Sequence, residues 1–317
     1  MSIANAQIKI KEIELEILKV KQENDQINNH QKIQELENQK REIIIHNFTN
    51  LSSYDRVKLA RFNERSNIYA YIDSLFDCFI ELHGDRLYKD DPAIIGGIAY
   101  FKDIPVTIIG HLKGRTLQEN IDCNFAMANP EGYRKAIRLM KQADKFQRPI
   151  ITFIDTPGAY PGDKAEEHGQ AEAIAKCLYE MSLLKVPVIA VVIGEGGSGG
   201  ALALSVANRI VMLENAIYSI LSPEGFATIL WKDASKAKEA SQLMELTAKD
   251  LYQKQIIDAI INEPLGGVQE NPTIVMMQLS RYLDKELKSL MALKPEQLQK
   301  QRYSKFRKMG SFIEESK

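Results

Sequence analysis

Two stretches of the chain hold the residue types best suited to chemistry. The first reads Asp155-Thr156-Pro157-Gly158-Ala159-Tyr160-Pro161-Gly162; the second reads Gly194-Glu195-Gly196-Gly197-Ser198-Gly199-Gly200-Ala201. Five glycines within residues 194–200 let backbone N–H groups come close to a substrate oxygen. A helix that starts just beyond such a loop leaves unsatisfied N–H groups, which suit negative charge. Paired backbone donors are what an enolate or a tetrahedral oxyanion needs, and chemistry on acyl thioesters uses that device. The competing reading, a tight turn with close helix packing, accounts less well for so many glycines feeding one helix.

Three other motifs fit the same loops. Gly194-x-Gly196-x-x-Gly199 matches a dinucleotide fingerprint, with Glu214 at the end of a later strand as the acidic partner. The helix expected over about 200–207 is short for a Rossmann crossover. Gly196-x-Ser198-x-Gly200 matches a nucleophile elbow. A triad in the hydrolase order needs a histidine after the serine, yet His30, His46, His83, His111 and His168 all precede it. That argues against a serine hydrolase, although His168 stays open as a partner in space. Asp155-Thr-Pro-Gly158 resembles the magnesium side of a GTPase, but the chain has no Gly-x-x-x-x-Gly-Lys-Ser/Thr phosphate cradle. What remains is a site of backbone donors with no obvious side-chain nucleophile or base.

The elements that must position these loops are also readable. Apolar runs at 93–101, 105–112, 149–154, 186–193 and 209–213 predict strands. Asn129-Pro130-Glu131 is a helix start, and Tyr133, Ile137 and Met140 give that helix an apolar face. A second helix is expected over about 165–184. Strands alternating with helices predict an α/β fold with parallel strands and crossovers. Both loops then lie at the carboxyl ends of parallel strands, where open sheets bind ligands.

Residues 1–47 have a different texture, with no Gly, Pro, Trp or Tyr. Ile10, Ile13, Ile17, Val20, Asn24 and Ile27 follow a heptad seam, and Ile33, Leu36, Lys40 and Ile43 form a weaker stripe. This predicts a helical hairpin or arm packed on another surface, rather than a self-contained coiled coil. A main domain is expected over 48–295, mainly helical after about 234, and a C-terminal tail over 296–317, the last fifteen or so residues loose.

Composition narrows the class. The chain has 317 residues, 44% of them hydrophobic and 26% charged, an ordinary globular balance. Lys and Arg total 41 against 42 Asp and Glu, so no basic excess points to nucleic acid or an anionic membrane. No apolar run approaches a bilayer span, and the N-terminus lacks a signal-peptide core. Cys78, Cys123 and Cys177 are too scattered for a disulfide framework or a Cys-x-x-Cys zinc site. A cytoplasmic location is the simple expectation.

Eight segments together resemble one family. They are Glu81-Leu-His-Gly-Asp-Arg86, Asp91-Pro-Ala-Ile-Ile-Gly-Gly97, Pro130-Glu-Gly-Tyr-Arg-Lys-Ala136, Phe153-Ile-Asp-Thr-Pro-Gly-Ala-Tyr-Pro-Gly162, Val192-Ile-Gly-Glu-Gly-Gly-Ser-Gly-Gly-Ala-Leu202, Ser222-Pro-Glu-Gly225, Ile229-Leu-Trp-Lys232 and Glu263-Pro-Leu-Gly-Gly267. In this order they resemble the alpha subunits of bacterial acetyl-coenzyme A carboxylase carboxyltransferases, over roughly residues 5–315. The resemblance implies a crotonase-like (ClpP/crotonase) fold of stacked ββα units with oxyanion holes. It implies transfer of a carboxyl group from carboxybiotin, held on a biotin carboxyl carrier protein, to acetyl-CoA, giving malonyl-CoA for fatty acid synthesis. It also implies a beta subunit that carries a four-cysteine zinc element, two copies of each subunit, and a biotin carboxylase upstream.

The implied chemistry suits a site without a side-chain base. Loss of the carboxyl group leaves negative charge on the biotin ureido, which can itself take the acetyl-CoA α-proton. Gly199 and Gly200 are then the expected catalytic donors on the biotin side. Gly196, Gly197, Gly158, Ala159 and Tyr160 are the expected substrate-binding positions, and no metal is expected in this chain. A side chain at Gly200 is expected to obstruct the approaching ureido oxygen. The partner would hold the thioester enolate.

Five residues depart from the family pattern: Cys123, Ala126, His168, Phe226 and Gln269. They motivate the alternative of a catalytically weakened paralogue acting in assembly or regulation, and the losses of Arg at 123 and 168 suggest weaker contacts to CoA phosphates or the partner. Arg86, Lys113 and Arg115 are candidate contacts to CoA or partner. Asn124 and Tyr133 are candidate lining residues, whereas His83 and His111 read as structural.

Overall fold

The structure is a computed structural model describing residues 1–22 and 26–310. Helices α1 (Ile3–Gln22) and α2 (Gln26–Phe48) form a hairpin. Ile17, Val20 and Leu36 meet in one cluster; Ile3, Ala6, Ile10 and Phe48 meet Leu59 in another. The two stripes therefore cover each other, and the hairpin is seated on α3 (Ser53–Ala60). Asn24 lies outside the described residues, as does the side chain of Ile27.

After α4 (Ile68–Leu75) come β1 (Asp77–Glu81), β2 (Ile94–Phe101) and β3 (Ile104–His111). Helices α5 (Leu117–Asp122) and α6 (Pro130–Lys145) lead to β4 (Ile150–Thr156). Then follow α7 (Asp163–Glu167), α8 (Gln170–Leu183), β5 (Val188–Gly197), α9 (Ser198–Leu202), β6 (Arg209–Leu213) and β7 (Ile217–Ser219). The chain ends with α10 (Pro223–Trp231), α11 (Ala237–Leu243), α12 (Ala248–Gln253), β8 (Ala259–Ile261), α13 (Pro272–Met291) and α14 (Pro295–Arg307).

The sheet order is β1-β2-β3-β4-β5-β6-β8, with β7 paired to the far end of β5. β1, β2 and β3 are antiparallel; from β3 to β8 the pairing is parallel. β2 returns into β3 through Lys102-Asp103, and Lys102 takes the positive φ of 54° that a tight hairpin demands. Every residue of β4 and β5 is buried, as the unbroken apolar runs require of strands covered on both faces. Tyr71 of α4 stacks on Phe153 of β4 at 5.4 Å and closes the core there. Among the described residues no helix is long and apolar enough to cross a membrane.

Three expectations change. The helix expected over 165–184 is two helices, because Gly169 turns left-handed at φ 80° between α7 and α8. The helix expected after the glycine loop is only five residues long. The segment taken as a tail from 296 continues as α14 to Arg307, with Leu298 and Arg302 buried. The Arg302 guanidinium donates to the carbonyls of Leu184 and Val186 and to Asn208 Oδ1. That buried charge ties α14 to the carboxyl end of α8 and the start of β5. Residues 311–317 of the expected tail lie outside the described residues.

Candidate active site

β4 and β5 run side by side in parallel, so the loops that follow them emerge together at one edge of the sheet. The pairing carries on past the register shift at Ile154, with Thr156 opposite Gly196. Contact between the loops is unusually close. A β-carbon on Gly197 would meet Pro157 O at 2.0 Å. One on Gly200 would meet the Ala159 nitrogen and the Gly158 carbonyl carbon, each at 2.7 Å. Those distances are below any real side-chain contact, so only glycine lets the two backbones approach this far.

Within this arrangement the expected site residues separate. Gly200 faces Gly158–Ala159 directly. Gly199 is half-buried with only the Ile174 side chain near it, at 3.5 Å. Gly158 has open space on its β-carbon side and a positive φ of 153°. Gly196 and Gly197 are buried strand residues packed on Tyr218 and Pro157; they set how closely the strand nestles. Tyr160 donates its N–H to Ala128 O and lays its ring over Gly162. Gly200 has no positive φ, and its side-chain direction points into the facing loop rather than into open space, so an added side chain meets the Gly158–Ala159 backbone before it meets a ligand.

At the start of α9 the N–H groups of Ser198, Gly199 and Gly200 have no acceptor within the helix, and Gly197 supplies no side-chain cap. The helix itself leaves the Gly199 and Gly200 donors over at the loop junction, while Ser198 directly follows Gly197, which is paired with Ser219 of β7. A five-residue helix adds little dipole, so the individual N–H groups carry the polarity. Ser198 is exposed at φ 52°. The dinucleotide reading falls here, because Gly194 and Gly196 of the fingerprint lie within β5 rather than in a strand-to-helix turn, and the helix that holds Gly199 is only five residues long.

The nearby ionisable groups are not placed for acid–base work. His111, at the end of β3, is wholly buried, and burial pushes its pKa down to about 3 against the backbone of Phe153 and Gly200. It is a neutral imidazole, and neither ring nitrogen closes a hydrogen bond of good geometry. Burial likewise raises the Tyr133 phenol; its oxygen lies 3.0 Å from the Gly200 β-carbon position and has no partner. Asp155 accepts from the Glu195 N–H at 2.9 Å and sits 3.5 Å from Lys113 Nζ. His168 pairs with Glu131 Oε1 at 2.9 Å and stacks edge-on against Tyr88, so it completes no triad with Ser198.

Four of the five residues that depart from the family pattern have roles within the chain, whereas nothing in the structure explains Phe226. Arg134 bridges Glu131 and Asp85 and donates to the His168 carbonyl, so His168 joins an inward network instead of reaching a phosphate. Cys123 is buried beneath α5 with its thiol near Asn120 O. Asn124, Phe125 and Ala126 form a left-handed turn at φ 48°, 53° and 64°. A glycine at 126 would take that conformation without the roughly 1–2 kcal/mol an L-residue incurs. Gln269 Nε2 donates to Gly266 O at 2.6 Å.

Sequence reasoning missed a groove beside Gly199. About 370 Å³ in volume and apolar, it is lined by Leu202, Tyr218, Ile220, Leu251, Phe306 and others, with Ser198 and Gly199 at one end. Phe306 lies on α14, in the segment taken as a tail. No local signal placed it: Arg302, the anchor of α14, reads as surface until its buried carbonyl partners are known.

A family model described as acetyl co-enzyme A carboxylase carboxyltransferase-like matches residues 3–310. The acetyl-coenzyme A carboxylase carboxyl transferase subunit alpha of Staphylococcus haemolyticus is 56% identical over 267 residues, covering 84% of this chain and 85% of the relative. That of Staphylococcus epidermidis is 52% identical over 300 residues, covering 95% and 96%. Among solved structures, transcarboxylase 12S with methylmalonyl-coenzyme A bound superposes with a TM-score of 0.58 at 18% identity, over 71% of this chain and 42% of that one. The chain thus spans less than half of the transcarboxylase chain. A Pseudomonas malonate decarboxylase hetero-tetramer in complex with coenzyme A gives 0.56 at 15%, over 67% and 85%. The structural likenesses establish the fold, which is the crotonase-like α/β fold. With a match along nearly its whole length and relatives more than half identical, the chain belongs to the acetyl-coenzyme A carboxylase carboxyltransferase alpha-subunit family.

Proposed function

We propose that this chain is the alpha subunit of a carboxyltransferase that moves a carboxyl group from carboxybiotin to acetyl-CoA, forming malonyl-CoA. The observation that carries the reading is the close approach of the Gly158–Ala159 loop to Gly200, at a helix start where the Gly199 and Gly200 N–H groups have no acceptor within α9. Carboxybiotin, when bound, supplies the carboxyl group and, once relieved of it, a ureido basic enough to take the acetyl-CoA α-proton. The donor set fits that group. The Gly199 and Gly200 N–H groups stabilise developing charge on the ureido oxygen, and Ala159 and Gly158 offer the opposing wall.

The finer assignments belong to the same reading. A zinc-carrying beta subunit contributes the hole that holds the thioester enolate, two copies of each subunit assemble, and a biotin carboxyl carrier protein served by a biotin carboxylase delivers the cofactor. A shared site makes either subunit inactive alone. Malonyl-CoA formation, measured for this chain purified alone and after reconstitution with the beta subunit, tests it. Activity is expected only in the complex. Substantial turnover by the chain alone overturns the shared site.

A further inference from the structure

Just before its glycine turn, β5 is held at three successive points. Arg65 Nε donates to Ile193 O at 2.6 Å, Asp155 Oδ1 accepts the Glu195 N–H at 2.9 Å, and Arg61 Nε donates to Glu195 Oε1 at 2.8 Å. The first holder is a fixture: Arg65 and its bidentate partner Glu263 have side chains only 2% and 0% exposed. Arg61 is different. Its side chain stays 31% exposed and directs its other nitrogens to Glu224 in the first turn of α10, at 2.9 and 3.3 Å. One guanidinium thus spans the glycine strand and the Ser222-Pro223-Glu224-Gly225 turn. Burial pulls the Arg61 charge down, and Glu224 and Glu195 more than offset this, so it is held above its ordinary pKa.

Glu195 is the odd residue in this stretch. It is a carboxylate with 8% side-chain exposure among glycines, and burying it is costly without its partner. A neutral residue would sit there without that cost. Glycines on either side widen the angles the backbone can take; pairing of Gly196 with Thr156 and Tyr218 narrows them from the sides, and the clamp on the Glu195 side chain narrows them from outside.

We infer that Arg61 is a positioning residue: acting through Glu195, and braced on Glu224, it fixes the angle at which β5 presents Ser198–Gly200 to the Gly158–Ala159 loop. The inference rests on the reading of Gly199 and Gly200 as the biotin-side donors. It separates from simple charge compensation in one set of variants, Arg61→Met, Glu195→Gln and the double variant, each in the reconstituted complex. Arg61→Met strands a buried carboxylate and lowers thermal stability; adding Glu195→Gln removes that charge and restores the stability. If Arg61 positions, the double variant still transfers carboxyl groups about tenfold to a hundredfold more slowly, the penalty of a displaced catalytic group, while the KM for acetyl-CoA stays put. Hydrogen exchange of the full-length chain gives a readout free of turnover: amides in 196–201 exchange faster in the double variant, and those of β4 do not. A kcat that returns with stability, or wild-type exchange at 196–201, makes Arg61 a charge partner only. A wild-type complex that fails to turn over sinks the proposed function instead, and the exchange measurement still decides Arg61.

Discussion

The amide nitrogen of Ala159 lies 2.7 Å from where a β-carbon on Gly200 would stand. Its neighbour Gly199 has no such constraint, because the nearest atom to its β-carbon is the Ile174 side chain at 3.5 Å. Adjacent glycines therefore have different reasons to be glycine. Gly200→Ala should destabilise the chain by about 1–3 kcal/mol, as forced overpacking does. Gly199→Ala should leave the unfolding midpoint close to wild type. Urea denaturation of both variants checks the contrast, and equal losses would mean the loops are not this close.

Ser198 is exposed and no histidine reaches it. Ser198→Ala should keep a sizeable fraction of carboxyl transfer, and a fluorophosphonate probe should leave the protein unlabelled. Covalent labelling at Ser198 would restore the hydrolase reading.

His111 predicts a pH dependence of stability. Burial holds it near 3 in the folded chain, against an ordinary value of 6.5. Below 6.5 the unfolded chain takes up a proton that the native chain refuses. The stability is thus complete above 6.5 and is lost as pH falls toward 3, at up to about 1.4 kcal/mol per pH unit. His111→Gln should lose less stability than wild type between pH 7.5 and 5. Urea midpoints at the two pH values report the slope; parallel slopes would place His111 elsewhere than in a sealed site.

The N-terminal hairpin covers Leu59 and ties to the main body through the Lys11–Glu64 and Lys40–Glu270 pairs. Removing residues 1–47 should reduce solubility or assembly with the beta subunit, with kcat at saturating substrates retained in whatever complex forms. Light scattering together with turnover checks this. Normal assembly with lost catalysis would mean that the hairpin takes part in the chemistry.

Legibility in the sequence followed burial. β4 and β5 stood out because both faces are covered and residues 150–154 and 188–193 are apolar but for Thr152, and the two loops stood out because their glycines cluster. β7 and β8, at three residues each, carry no period long enough to read. α14 was hidden because its anchor is Arg302, whose partners are carbonyls scattered over distant positions. The left-handed turn at Asn124–Ala126 has no glycine to announce it. Nor does an Arg61 in sequence disclose that Glu195 and Glu224 will converge on it.

Whether the facing loops form the biotin side of the site is read most directly from Gly200→Val assembled with the beta subunit. The branched side chain must push Gly158–Ala159 away and misaim the donors beside it. Losing or misaiming one oxyanion donor lowers turnover by about 10²–10³. Carboxyl transfer should fall at least about a hundredfold, while assembly and acetyl-CoA affinity change little. If acetyl-CoA binding collapses while carboxybiotin decarboxylation persists, the two sites belong to the opposite subunits and the assignment is wrong.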